Sequence, residues 1–108
     1  MARIDLMQGT LDMLVLKTLT RGAMHGYAVA RAIQERTDDA LQLEEGTLYP
    51  ALYRMERKGW ISSKWGRSEN NRKARFYRLT SAGRKQLEAE SAAWIDLSEA
   101  IAKIMQPA

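Results

Sequence analysis

Hydrophobic residues between positions 6 and 19 recur at three- and four-residue steps: Leu6, Met7, Leu11, Leu14, Val15, Leu16 and Leu19. That spacing predicts an amphipathic helix with a broad apolar face, and Gly22 is placed to close it. A second helix is predicted over 27–36, with Tyr27, Val29, Ala30 and Ile33 as its inner face; for Tyr27 a phosphate contact from this helix is the other reading. Polar turn residues at 37–39 follow, and Leu41 and Leu43 then alternate with polar neighbours in a brief extended piece. A third helix starts between positions 45 and 47 and stops at Gly59. Its core face is Leu48, Leu52 and Met55, at i, i+4 and i+7. Pro50 belongs in its first turns, where a missing N–H costs least. Tyr49, Tyr53 and Arg54 lie off that stripe and face outward. Aromatic and β-branched runs at 60–65 and 75–80 read as the strands of a hairpin. The turn-rich segment 66–73 joins them as a long, mobile tip. A last helix opens at Thr80 or Ser81 and extends to about Met105, ahead of Pro107.

Three helices, a hairpin and a long final helix, in that order, are the arrangement of a winged helix-turn-helix. In it the helix before the hairpin enters the major groove. The expected fold class is mainly α with a small β-hairpin: a DNA-binding unit over 1–80 and a C-terminal dimerisation helix over 81–108. Charge agrees with this. Between Tyr53 and Arg78 there are nine Lys/Arg and two Glu, a net +7, while the remainder holds eight basic and eleven acidic residues, a net −3. The chain's +4 is thus one cationic region on a mildly acidic body, which suits a surface that meets phosphates.

A chain of 108 residues is long enough for one soluble domain with a modest core. The lack of cysteine excludes disulfides, a thiol nucleophile and Cys-ligated metal. His25 is the only histidine, a poor metal site alone and a poor catalyst without a partner. Its expected role is a local hydrogen bond at the turn into the second helix. The neighbouring acids Asp38-Asp39 and Glu44-Glu45 do not share a helix face. Neither catalysis nor a metal or other cofactor is expected. No run of about 18 apolar residues marks a membrane span, and Asp5 and Gln8-Gly9 interrupt any secretory signal. The expected location is cytoplasmic.

The candidate DNA-binding residues are Thr47, Tyr49 and Arg54 on the third helix and Lys64, Arg67, Arg72, Lys73 and Arg75 on the hairpin. Thr47 either caps its helix or meets a phosphate or base edge. Tyr49 offers a hydroxyl outside the buried stripe, and the Arg54 guanidinium suits a phosphate or a guanine. Arg57 and Lys58 complement the helix dipole. The five hairpin cations are answered locally only by Glu69; phosphate or minor-groove contact competes with a merely solvated face. In the last helix Leu87, Trp94 and Ile101 recur at seven-residue steps, with Leu97 and Ile104 between them and Ile95 and Met105 widening the stripe. A helix reaching past a small domain cannot bury such a face on its own body. A twofold homodimer through Leu87, Trp94, Leu97, Ile101, Ile104 and Met105 is therefore expected, and packing on the first helix is compatible with it. The competing functional class is a protein-interaction module whose basic hairpin docks an acidic partner.

Four segments resemble the PadR family of transcriptional regulators, of the short type. They are His25-Gly26-Tyr27, Gly46-Thr47-Leu48-Tyr49-Pro50-Ala51-Leu52, Gly59-Trp60-Ile61 and Arg75-Phe76-Tyr77-Arg78-Leu79-Thr80, with Gly83 just beyond. The similarity covers about residues 10–85, and the seven residues at 46–52 are its specific element. The resemblance implies a dimeric, ligand-responsive repressor of double-stranded DNA at an inverted-repeat operator. Two recognition helices would enter successive major grooves, with dimer contacts through the C-terminal helix. It also implies a role for Trp94, which matches a tryptophan near the dimer centre of multidrug-binding short PadR-like regulators. Two symmetry-related indoles would sandwich a small planar aromatic effector; plain interface packing is the other reading. Many relatives carry Gly-Gly or Gly-Pro at the wing tip, where this chain has Ser68-Glu69-Asn70-Asn71, and asparagine tolerates the positive φ such a turn needs.

Overall fold

A computed structural model describes residues 7–107. The expected helix start at Leu6 and the Asp5 read against a secretory signal lie outside the described residues. Helix α1 (Gln8–Leu19) buries Leu11, Val15, Leu16 and Leu19. It ends short of Gly22, whose N–H donates to the Leu19 carbonyl at 3.2 Å. Strand β1 (Met24–His25) follows, then α2 (Gly26–Arg36), which His25 caps by accepting the Ala28 N–H on Nδ1. That is the local role expected of this histidine. The inner face of α2 is Gly26, Val29 and Ile33. Tyr27 is not part of it: in the first turn it points outward, 60% exposed, with Arg31 packed over its ring.

Residues 40–44 form no strand, and the extended piece expected at Leu41 and Leu43 is irregular chain whose leucines pack partly against the core. The third strand of the sheet is instead β1. Helix α3 (Glu45–Arg57) buries Leu48, Ala51, Leu52 and Met55, as its periodicity predicts. Pro50 falls in the second turn, later than the positions where a missing N–H is free; the carbonyl left without its donor belongs to the exposed Gly46. Gly59, at φ 79°, ends α3. Its N–H donates to Glu56 and the Trp60 N–H to Met55, a double closure that the left-handed conformation of glycine permits.

Strands β2 (Ile61–Arg67) and β3 (Lys73–Leu79) pair antiparallel from Ile61↔Leu79 to Arg67↔Lys73, and β1 adds to β3, giving the order β1-β3-β2. The hairpin is longer and its tip shorter than the composition predicts, because 66, 67, 73 and 74 remain in the ladder and only 68–72 turn. Outward polar side chains do not interrupt backbone pairing. The tip is closed by Ser68 N–H to the Arg72 carbonyl and Asn71 N–H to the Ser68 carbonyl, both 2.9 Å, with Asn71 at φ 57°.

Helix α4 (Ser81–Met105) opens at Thr80, whose Oγ1 accepts the Gly83 N–H at 3.0 Å. It lies on α1 through its first half. Its length of about 37 Å carries the second half clear of the core of α1–α3, Ile61 and Tyr77. Among the described residues no helix is long and apolar enough to cross a membrane.

Candidate nucleic-acid interface

The buried stripe of α3 fixes what the helix shows to solvent. With Leu48, Leu52 and Met55 inside, Thr47, Tyr49, Pro50 and Tyr53 are left outside. Thr47 occupies the third helical position, so it does not cap: the cap residue is Glu44, without a side-chain capping bond. Tyr49 is half-exposed, its ring resting on Gly26, where an added Cβ would stand 2.8 Å from Cε1. The missing side chain at the start of α2 is what lets Tyr49 settle there. Beyond it, a groove of about 860 Å³ separates the wing tip from α2 and is lined by Tyr27, Arg31, Tyr49, Arg72 and Lys73, among others. The structure therefore brings Tyr49, Arg72 and Lys73 to one concave surface.

Arg54 does not join them. Expected to face outward, it turns inward and pairs with Asp12 of α1, which is 3% exposed. The reason lies across the core. Asp12 sits on the buried face of α1 between Leu11 and Val15, and a carboxylate there needs a cation. Burial pushes the Asp12 carboxyl above the ordinary carboxylate range, and the charge and hydrogen bond of Arg54 only partly offset this. The folded state thus holds a proton on Asp12 more tightly than the unfolded chain, so this group lowers stability as pH rises through that window. Arg54→Ala raises the carboxyl further and steepens the effect. The variant is expected to lose about 2 kcal/mol at neutral pH, less than a fully enclosed pair would, because Arg54 is partly exposed. The deficit shrinks on acidification, which thermal midpoints across mildly acidic pH would measure; a deficit constant with pH would exclude an unpartnered Asp12 as its source.

Arg75 is also engaged internally. Its Nε donates to Ser63 Oγ at 2.7 Å and its Nη2 lies 3.5 Å from Glu56 Oε2, while Ser63 Oγ donates to the same carboxylate at 2.6 Å. This network joins α3 to both wing strands. Arg67 donates to the Asn71 carbonyl across the tip, and Lys73 lies over the Trp65 ring. Lys64, paired with Phe76, points to the opposite face of the sheet from Arg67, Lys73 and Arg75. The structure thus splits the five hairpin cations: Arg72 and Lys73 flank the groove, Arg67 braces the turn, Arg75 braces the wing, and Lys64 looks away. Sequence reasoning left out the exposed Trp65; for Tyr27 it left core packing and phosphate contact open, and the structure turns the ring outward with Arg31 beside it. Tyr27 is the second helical residue after the capping His25, and Gly26 ahead of it takes the inward place in that turn.

A family model describing the transcriptional regulator PadR-like family matches residues 15–89, from the middle of α1 into α4. The chain belongs to the PadR-like family of transcriptional regulators. A PadR family transcriptional regulator from Eggerthella lenta is 32% identical and superposes with a TM-score of 0.78, over 94% of this chain and 86% of that one. A transcriptional regulator from Clostridium thermocellum, 30% identical, superposes with a TM-score of 0.84 over 92% and 96%. An uncharacterised protein X of Lysinibacillus sphaericus is 31% identical over 98% of this chain and 97% of its own length. PadR-like proteins are regulators rather than enzymes, and the winged-helix fold of this chain is theirs.

Proposed function

We propose that two copies of this regulator bind double-stranded DNA at an inverted-repeat operator and repress transcription by occupying it. The observation that carries the reading is the concave surface shared by Tyr49 of α3 and the wing cations Arg72 and Lys73. With α3 in the major groove, Thr47 and Tyr49 meet base edges or phosphates and the wing meets flanking phosphate. Residues 1–80 then form the DNA-binding unit and 81–108 the dimerisation helix, in a cytoplasmic protein. Dimerisation is supported by Trp94, Leu97, Ile101, Ile104 and Met105, at least half exposed along one helix, because apolar surface of that extent on α4 calls for a partner. Leu87 already packs partly on the core. A twofold pair would hold the half-sites about one helical turn, roughly 34–36 Å, apart.

Release by a small planar aromatic effector completes the proposal. An apolar groove of about 860 Å³ between α1 and α4 is lined by Met13, Leu14, Leu87, Trp94 and Ile95. A ligand seated there acts on DNA binding only through different affinities for the bound and released dimers. Selection of bound duplexes from a random pool tests the whole reading: an enriched inverted repeat is expected, and a pool without enrichment would reject it. Reversing Arg72 and Lys73 to Glu is expected to lower duplex affinity about a hundredfold, read by gel retardation. Unchanged retardation would return the basic arm to a protein-docking role.

A further inference from the structure

Trp65 is 59% exposed in the middle of a strand, an unusual place to leave an indole in water. Alternation puts it on the same sheet face as Ile61 and Ser63. Ile61 is in the core and Ser63 bonds Glu56 of α3, so this face continues outward from α3. The partner strand places Arg75 directly opposite Trp65, with Lys73 on the diagonal. Lys73 Nζ lies 4.9 Å and Arg75 Cζ 5.7 Å from the ring centre. Arg67 stands on the same face, opposite Lys73. The result is an aromatic surface framed by three cations; the acid that meets it, Glu56, does so through Ser63 and Arg75.

We infer that Trp65 is a direct contact of the wing to duplex DNA, its indole lying against the sugar-phosphate backbone between phosphates held by Lys73 and Arg67. The chemistry is complementary. Cations beside an aromatic ring attract the phosphates, and the ring covers the apolar face of deoxyribose that they flank. Stacking also limits the motion of Lys73 before binding, which reduces the ordering cost of the contact. Exposure in the free protein is then the unbound state of an interface residue.

This inference rests on the duplex-binding reading, and the experiment separates the two. The intact protein is labelled with fluorinated tryptophan, so that its three tryptophans report individually by fluorine NMR, with Trp65 assigned from its absence in Trp65→Phe. A mixed-sequence duplex is added at low salt, with binding followed by gel retardation on the same samples. The Trp65 resonance is expected to shift and lose its sensitivity to solvent isotope, while Trp60 holds still. Trp65→Ala is expected to weaken binding about tenfold, near the low end for aromatic contacts to nucleic acid, and Trp65→Phe to recover most of it. A resonance unmoved in fully retarded protein, or unchanged affinity in Trp65→Ala, overturns the contact and leaves DNA binding standing. Absence of any retarded complex overturns both.

Discussion

Between about 50 and 200 mM salt the affinity of the dimer for duplex DNA is expected to fall by about a thousandfold to ten-thousandfold. The size of the fall is set by which cations are available to phosphate. Arg54 is paired with Asp12 and Arg75 with Glu56, so neither contributes a full counterion exchange. Lys64, Arg67, Arg72 and Lys73 have no acidic partner among the described residues. Lys64 faces away, so two copies of the other three give about six phosphate contacts, and each adds roughly 0.9 to the slope of log affinity against log salt. Arg72→Ala should make that slope shallower by about two, one for each copy. Arg54→Gln should leave it unaltered even where it lowers affinity, because its effect runs through the seating of α3. Binding measured by fluorescence anisotropy across the salt series checks both. A flat binding constant would remove the duplex-binding reading, and a shallower slope in Arg54→Gln would mean that this side chain reaches phosphate after all.

Arg54 also marks where sequence reasoning ends. Periodicity located the core face of α3 correctly, because Leu48, Leu52 and Met55 obey a local rule. It placed Arg54 outside by elimination, and the element that overrides this is an acid 42 residues away on another helix. The signal was present in α1 rather than α3: Asp12 lies within the stripe predicted to be buried, and a buried carboxylate needs a partner. Strand β1 was invisible for a different reason. Two residues cannot display alternation, and Met24–His25 is a strand only because β3 offers an edge. The wing was legible as a hairpin but misjudged in length, since Gly66 and the polar Arg67 and Lys73 look alike whether or not their backbones are paired. What composition supplied was the concentration of cations; only the pairing register divides them between the groove, the turn and the far face. The last helix was read nearly to the residue because its start is set by a local cap, Thr80 to Gly83, and its end lies just ahead of Pro107.

Replacing Gly83 by alanine is expected to destabilise the protein by about 3 kcal/mol or more, among the larger effects of adding a single methyl group. Gly83 is buried in the first turn of α4, and a Cβ there would stand 2.0 Å from the Trp60 carbonyl oxygen and 2.8 Å from Leu79 Cδ1. The oxygen is backbone and cannot rotate away. It is also held from both sides: Trp60 follows the Gly59 turn that ends α3, and its carbonyl accepts the Thr80 N–H at 3.1 Å and Thr80 Oγ1 at 2.9 Å. Relief requires α4 to lift from the base of the hairpin, breaking the cap that starts it. Thermal unfolding should register a midpoint lower by roughly 12 °C or more, whereas Gly46→Ala, with nothing within 4 Å of the added atom, should not fall comparably. The consequence reaches function as well. This contact joins the end of α3, the wing and the start of α4, so a chain that tolerates the methyl by tilting α4 should lose duplex affinity while remaining folded. An alanine variant with unchanged midpoint and unchanged affinity would mean that α4 and the Gly59–Trp60 turn are not packed as closely as this contact requires.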